Sequence, residues 1–211
     1  MGANPGWPRW SPIGDQIAFH SNPEGNAEII LVPAEGGKPR NLTSHPATDA
    51  FPTFSRDGRW IYFSSSRAGE PTIWKMPAAG GPAIQVTTTG PGMMAIESAD
   101  GAFLYYTESR NTNSPATLWR VPVAGGATER MTDGVNSTGF DVTNGGIYYL
   151  HQAAGETRVQ YFDLVTRQTN TVAGNLGNAD FGLAASPDGR TILFTRIDSS
   201  VNDLMLVENF R

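Results

Sequence analysis

The 211-residue sequence contains no cysteine and only three histidines. Without cysteine the chain forms no disulfide and has no thiolate to serve as a metal ligand or a catalytic nucleophile. The histidines do not occur in a zinc-binding spacing such as His-Glu-x-x-His. These absences exclude disulfide scaffolds, cysteine enzymes and the common structural zinc sites.

Charged residues are also scarce. Asp, Glu, Lys and Arg make up 17% of the chain, against about 25% in an average globular protein. Fifteen basic residues and 20 acidic residues give a formal net charge of −5. A nucleic-acid-binding domain needs a basic face, so we expect no direct contact with nucleic acid.

Long hydrophobic runs are missing as well. The longest apolar stretch, residues 29–34, is far shorter than the roughly 18 residues that a membrane-spanning helix needs. Residues 1–10 contain no apolar segment of the kind found in a signal peptide. The sequence therefore predicts no membrane insertion and no signal peptide within these residues.

Glycine and proline, in contrast, are abundant, with 24 and 15 residues. These residues favour tight turns and interrupt helices. Hydrophobic residues make up 39% of the chain, which is enough to build a core and argues against disorder. The length predicts one domain, and we expect it to extend over residues 1–211.

Two short markers recur in register along the chain. A Ser-x-Asp-Gly tetrad occurs at residues 55–58, 98–101 and 186–189, with a longer copy at 11–15 and a degenerate copy at 143–145. The first three of these serines, at positions 11, 55 and 98, are 44 and 43 residues apart. A Gly-Gly pair recurs in phase at 36–37, 80–81 and 125–126. Two markers with one period indicate a structural repeat.

Each repeat predicts four short strands. An aromatic or β-branched run follows each tetrad, a second such run follows a polar loop, and the Gly-Gly turn leads to a further strand. No segment has a capped helical period. This pattern is typical of the blade of a β-propeller. The sequence therefore predicts an all-β propeller of about five four-stranded antiparallel blades, at residues 7–50, 51–93, 94–137, 138–181 and 182–211.

The fifth predicted blade is incomplete, because the chain reaches Arg211 just after the third strand expected at residues 204–207. Three outcomes stay open. The ring closes with one thin blade, or the chain is a piece of a larger ring, or unpaired strand edges join two chains. The third outcome predicts self-association through the incomplete fifth blade.

Four segments resemble the TolB-like, WD-like propeller repeat: residues 10–12, 54–58, 73–81 and 118–126. The resemblance extends over nearly the whole chain. It implies a bacterial binding module, cytoplasmic or periplasmic, that recognises a protein, a peptide or a small ligand on its loop face or in its axial channel. Propellers of this type also occur in prolyl-oligopeptidase-like proteases, but this chain has no hydrolase domain and no Gly-x-Ser-x-Gly motif.

Three oxygen-bearing side chains align near the start of successive blades: Asp49, Asn136 and Asp180. Equivalent positions in different blades form a ring around the axis, and such a ring suits Ca²⁺. This predicts, as an alternative, a Ca²⁺-dependent hydrolase of lactones or esters, resembling the six-bladed propeller lactonases. The ring is interrupted by Gly92, and Asp and Asn also cap turns with no metal present.

Other polar residues are candidates for catalysis or ligand binding. Glu97 and Asp141 align with the aromatic residues of other blades, and a carboxylate in such a place must be paired, metal-bound or shifted in pKa. With His45 they are the candidate catalytic residues. Arginines follow the second strands, so one face could bind an anionic ligand, or these charges are simply solvated. The candidate ligand-binding residues are His45, Arg67, Arg110 and Arg158.

Overall fold

The computed structural model describes residues 5–22, 25–112, 114–153 and 155–197, without the side chains of Asp180 and Phe181. These residues form 17 β-strands, and every strand pairing is antiparallel. Across the described ranges, no helix of the length and hydropathy that a membrane crossing requires is found. The predicted all-β fold is confirmed. The strand expected at residues 204–207 lies outside the described residues.

The strands form consecutive sheets in chain order. The first sheet contains β1 (Gly6–Trp10), β2 (Gln16–Ser21), β3 (Glu28–Pro33) and β4 (Arg40–Asn41). The second sheet contains β5 (Asp49–Phe54), β6 (Trp60–Ser65), β7 (Thr72–Pro77) and β8 (Ile84–Gln85). Each is a four-stranded meander whose strands follow in sequence, as the repeat predicts.

The next two repeats share one strand. β12 (Glu129–Val142) pairs with β11 (Pro115–Pro122) through its first part and with β13 (Gly146–Ala153) through its last part. It closes the third sheet, which begins with β9 (Ala95–Glu97) and β10 (Phe103–Glu108). It also opens the fourth sheet, which ends with β14 (Glu156–Asp163) and β15 (Thr169–Ala173). The last sheet contains β16 (Ala179–Ala185) and β17 (Ile192–Arg196).

The Ser-x-Asp-Gly tetrad forms the predicted turn between the first two strands of a sheet. The Gly58 amide donates to the Ser55 carbonyl at 2.9 Å, and Gly58 has a φ of 70°, which glycine adopts without strain. The Ser55 hydroxyl donates to Asp57 at 2.6 Å and accepts from the Trp60 amide at 2.9 Å. The same bonds recur at Ser98 and Ser186. One local hydrogen-bond pattern therefore sets the turn in three repeats.

The apolar faces of neighbouring sheets pack against each other, as expected for propeller blades. The first and second sheets enclose one cluster, the second and third sheets enclose another, and a larger cluster lies between the third and fourth sheets and towards the axis. Fully buried members include Phe63, Tyr62, Tyr105, Phe140 and Tyr149. The repeat period of the sequence thus corresponds to a repeated sheet-to-sheet interface.

The innermost strands carry bulges that turn one residue towards the axis. In β1 and β5 the pairing register shifts around Trp7 and Phe51, whose φ angles are 49° and 56°. Positive φ is unusual for such bulky residues and marks a backbone that the surrounding packing holds in place. Phe51 belongs to the central cluster, and Trp7 packs against it. The bulges therefore decide which side chains line the axis.

Candidate functional site

An apolar cavity of 560 Å³ lies between the first and last sheets. Four successive residues of β1 line one wall, and short runs of β16 and β17 line the other. Because successive side chains of a strand point to opposite faces, a wall of successive residues means that the strand edge borders the cavity. Its lining residues are Gly6, Trp7, Pro8, Arg9, Gly182, Leu183, Ala184, Leu193, Phe194 and Thr195.

Gly182 leaves the cavity open. It lies four residues before its turn serine, at the bulge position that Trp7 and Phe51 occupy in the first two sheets. Its φ is 97°, and a Cβ atom built on it would meet no atom within 4 Å. The fourth sheet also has a glycine, Gly139, at this position. Large side chains therefore fill the axis beside the first two sheets, and Gly182 leaves it open beside the last sheet.

An aromatic cluster borders the cavity on the β1 side. The rings of Trp7 and His20 stack with centroids 5.3 Å apart, and Phe51 meets Trp7 edge-on at 4.7 Å. His20 Nδ1 accepts a hydrogen bond from the Phe51 amide at 3.2 Å. Burial lowers the pKa of His20, so the ring stays neutral at pH 7 and able to accept this bond. The imidazole thereby holds the bulge of the second sheet.

No pattern in the sequence marks His20 as a candidate site residue. Gly6 pairs with His20 across β1 and β2, and a Cβ on Gly6 would lie 2.8 Å from His20 Nε2. The sequence offers only a histidine directly after the apolar run of the second strand. This is not enough to predict that its half-buried ring stacks on Trp7.

Among the described residues that line the cavity, Arg9 is the only charged one. Its side chain is half-buried, and Nη2 lies 3.6 Å from the sulfur of Met94, the residue before the third sheet. Burial lowers the pKa of Arg9, and the negative charge of Asp141 opposes this effect. Within residues 5–197, as far as they are described, no carboxylate lies within ion-pair distance of Arg9. The guanidinium therefore has few strong acceptors.

The three residues of the predicted metal ring do not share one level of the propeller. Asp49 pairs with Ser65, which lies five residues after Trp60, the residue whose carbonyl closes the turn. The residues at that level in the fourth and last sheets are Val135 and Ala179, so Asn136 and Asp180 each lie one residue further along. The cross-strand partners that define this level are Ser65, His151 and Arg196. The alignment by turn residues is wrong here, because the bulges differ in length.

Asp49 is fully buried, but a cation already neutralises it. Its Oδ2 lies 2.6 Å from Nη2 of Arg67. Oδ1 of Asp49 and Nδ2 of the buried Asn136 have no hydrogen-bond partner among the described residues. Among the described residues, no three or more His, Cys, Asp or Glu side chains form a group that could hold a metal. The Ca²⁺ site stays a prediction, and the side chain of Asp180 lies outside the described part of the structure.

Glu97 connects the third sheet to the second. Its Oε1 accepts from the Tyr62 hydroxyl at 2.7 Å, and Oε2 accepts from the Arg56 amide at 2.5 Å. Burial and the negative charge of Glu97 raise the pKa of Tyr62 far above its usual value, so the hydroxyl remains a donor. Both oxygens of this buried carboxylate are thus occupied by protein donors.

Asp141 does not occupy the position of Glu97. Val142 does, because the turn after Thr143 is closed by Gly146 and is two residues shorter than the turn after Ser98. The Asp141 carboxylate accepts from the Val142 amide at 2.8 Å and from the Ala185 amide of the last sheet at 2.9 Å. Asp141 therefore ties the fourth sheet to the last. Its catalytic role, like that of Glu97, stays a prediction.

The remaining candidates lie apart, in different sheets and loops. His45 is exposed, and its Nδ1 accepts from the Ala47 amide at 3.1 Å. Arg67 is paired with Asp49 and packs over Trp74. Arg110 bonds both oxygens of the exposed Glu70, and Arg158 bonds Glu156 at 2.7 Å. Each arginine thus has its own carboxylate, and the structure does not bring them together as one anion site.

Comparisons with known proteins agree with this fold. The sequence model of the TolB beta propeller domain family matches residues 2–115. An uncharacterised protein of Agrobacterium fabrum is 31% identical over 86 residues, which cover 41% of this chain and 29% of that protein. A TolB homologue of Chlorobium chlorochromatii is 38% identical over 136 residues, which cover 63% of this chain and 29% of the homologue. The chain thus spans less than a third of the length of these curated relatives.

The structural comparison extends further along the chain. A solved structure from Agrobacterium tumefaciens, assigned as TolB, superimposes with a TM-score of 0.69 at 24% identity. The superposition covers 89% of this chain and 73% of that one. At this identity the similarity establishes the propeller fold and nothing finer.

Proposed function

Because the chain belongs to the TolB beta propeller domain family, we propose that it is a binding module that recognises a protein or peptide partner at the propeller axis. The fold carries no function by itself, so the proposal depends on a site. The axial cavity between the first and last sheets is the site that the geometry supports best.

One observation carries this proposal: the 560 Å³ cavity is apolar, has one cation among its described lining residues, and is kept open by a glycine where the first two sheets have an aromatic residue. Ligand sites in proteins are typically concave, mostly apolar and about 300–1,000 Å³ in volume, with a few polar groups that fix orientation. Leu193 is 68% exposed and Phe194 is 36% exposed along its wall. These side chains offer apolar surface to a ligand.

The cavity can be tested by filling it. In the first two sheets Trp7 and Phe51 have positive φ at the position of Gly182, so a Gly182→Phe substitution places an aromatic ring where the repeat already accepts one. The probe is anilinonaphthalene sulfonate, an apolar anion that fluoresces when bound. We expect Gly182→Phe to abolish its fluorescence with the native protein while the thermal transition stays cooperative.

The matched control is Gly14→Phe. Gly14 also has a positive φ and open space around it, but it lies in an exposed turn away from the cavity. It also places a phenylalanine at a positive φ, and it should leave dye binding unchanged. Equal dye binding by wild type and Gly182→Phe would overturn the cavity as the binding site.

The gap between the first and last sheets also supports the expected self-association through the incomplete fifth blade. Phe54 and Glu97, each one residue before a turn serine, contact the preceding sheet. Trp10 has the equivalent position in the first sheet and is 61% exposed. We propose that two chains bury this surface against each other. Sedimentation velocity should show a dimer that Trp10→Asp dissociates, and a monomer at all concentrations would contradict it.

The Ca²⁺-dependent hydrolase of lactones or esters remains a second proposal. It is supported by the buried Oδ1 of Asp49, which has no hydrogen-bond partner among the described residues and could accept a cation or a water as its partner. It is weakened by Arg67, which already supplies positive charge to the other oxygen. Metal titration, described below, tests it.

A further inference from the structure

We infer that the axial cavity binds the C-terminal end of an extended peptide, with an apolar last residue in the cavity and its terminal carboxylate on Arg9. This inference rests on the proposed binding function and adds the chemistry of the ligand. Three observations carry it: the shape of the walls, the lining, and the state of the Arg9 guanidinium.

The walls favour an extended chain over a compact ligand. β1 and β16 are edge strands of their sheets, and the cavity follows β1 over Gly6–Arg9. At about 3.3 Å per residue, this wall is about 13 Å long, the span of roughly four extended residues. An edge strand presents backbone donors and acceptors that an added strand can pair with.

The lining selects an apolar side chain. Ala184, Leu193 and Phe194 contribute hydrocarbon and aromatic surface from the last sheet, and Trp7 faces them from the first. Removing apolar surface from water is favourable in proportion to the area buried. A leucine or phenylalanine at the end of the peptide would bury its own surface together with that of Leu193 and Phe194.

Arg9 selects an anionic group. Its described hydrogen bond goes to a thioether sulfur, a weak acceptor, whereas a guanidinium can bond a carboxylate with two parallel hydrogen bonds. Asp141 contributes negative charge nearby, but its oxygens already accept from two backbone amides. The chain as a whole carries a net charge of −5, so it does not attract anions in general. Binding of a carboxylate should therefore depend on Arg9.

The experiment uses two pools of hexapeptides that end in Leu or Phe and vary at the other positions. One pool has free C-terminal carboxylates and the other has C-terminal amides. Each pool is equilibrated with the 211-residue chain, and retained peptides are identified by ultrafiltration and mass spectrometry. We expect the retained acids to bind at least about tenfold more tightly than their amides, as the loss of a charge-assisted bond implies.

Three variants separate the contributions. Arg9→Met, of similar length and no charge, should bind acid and amide equally, while Arg9→Lys should keep part of the preference. Gly182→Phe should bind neither the acid peptides nor the amide peptides. A thermal melt of each variant shows whether it is folded, and the acid-to-amide ratio measured on one folded variant is independent of its stability.

The possible failures are distinguishable. Equal binding of acids and amides by the wild-type chain would overturn the role of Arg9 and leave the peptide-binding function intact. Retention of no peptide, with dye binding that still depends on Gly182, would overturn the peptide ligand and keep a small-ligand cavity. Phenylacetate that competes as well as the best peptide would show that a small carboxylate suffices and overturn the peptide as the ligand.

Discussion

The hydroxyl of Tyr62 in the second sheet donates a 2.7 Å hydrogen bond to the buried carboxylate of Glu97 in the third. Both side chains lie in the interface between the sheets, where Tyr62 is 1% exposed and Glu97 is 5% exposed. An unpaired carboxylate oxygen in such a place is costly. The pair therefore joins two repeats by a polar contact inside an apolar interface.

Tyr62→Phe should destabilise the protein by about 1.5–3 kcal/mol, because it removes one donor from a buried carboxylate and changes little volume. Urea denaturation followed by tryptophan fluorescence measures the loss. Tyr106→Phe is the matched control, since Tyr106 is also buried and its hydroxyl forms none of the hydrogen bonds described to Glu97. A loss for Tyr62→Phe no larger than that of the control would mean that Glu97 is satisfied without the tyrosine.

The buried Arg67–Asp49 pair predicts an asymmetry between partners. Arg67→Met leaves the fully buried Asp49 carboxylate without its cation, which should cost about 3–5 kcal/mol. In the exposed Arg59–Asp57 pair, where Arg59 is 79% exposed, Arg59→Met should cost less than about 0.5 kcal/mol. Chemical denaturation compares them. Adding Asp49→Asn to Arg67→Met should restore part of the loss, and no recovery would contradict an electrostatic origin.

His20 predicts that stability depends on pH. Burial lowers the pKa of His20 in the folded state below its ordinary value of 6.5. The unfolded chain then binds more protons than the folded one below that value, so stability is complete above about pH 6.5 and decreases as the pH falls towards the folded pKa. We expect the free energy of unfolding to decrease between pH 7 and pH 5.5 in the wild type. His20→Asn, which keeps an acceptor without a titrating ring, should show a smaller decrease, and an unchanged pH dependence would contradict this.

A metal titration tests the Ca²⁺ proposal. Chain stripped of metal is heated with Ca²⁺ or with EDTA. A ligand at 100 times its Kd that binds only the native state adds about 2.7 kcal/mol, which raises the Tm visibly. Since Arg67 neutralises Asp49, we expect equal Tm values under the two conditions. A clear rise with Ca²⁺ that Asp49→Asn removes would restore the hydrolase proposal, and lactone and ester assays would follow.

The sequence by itself determined the repeat, its period and its turns. Ser-x-Asp-Gly specifies its turn through bonds within five residues, and the alternation and apolar runs that follow specify the strands. Local hydrogen bonds and the hydrophobic pattern depend on residues close together in the sequence, so the sequence alone predicts them. The family resemblance rests on these same local segments, and it was confirmed.

The tertiary structure alone decided which side chains meet at the axis. Successive residues of a strand point to opposite faces, so an error of one residue moves a side chain from one interface to another. The innermost strands contain bulges of different lengths, and the fourth turn is shorter, so Asp141 and Asn136 lie one residue away from their expected levels. The cavity depends on the same feature, because Gly182 can open it only where its bulge and Trp7 line the same space. Bulge length depends on packing between sheets, which no local pattern records.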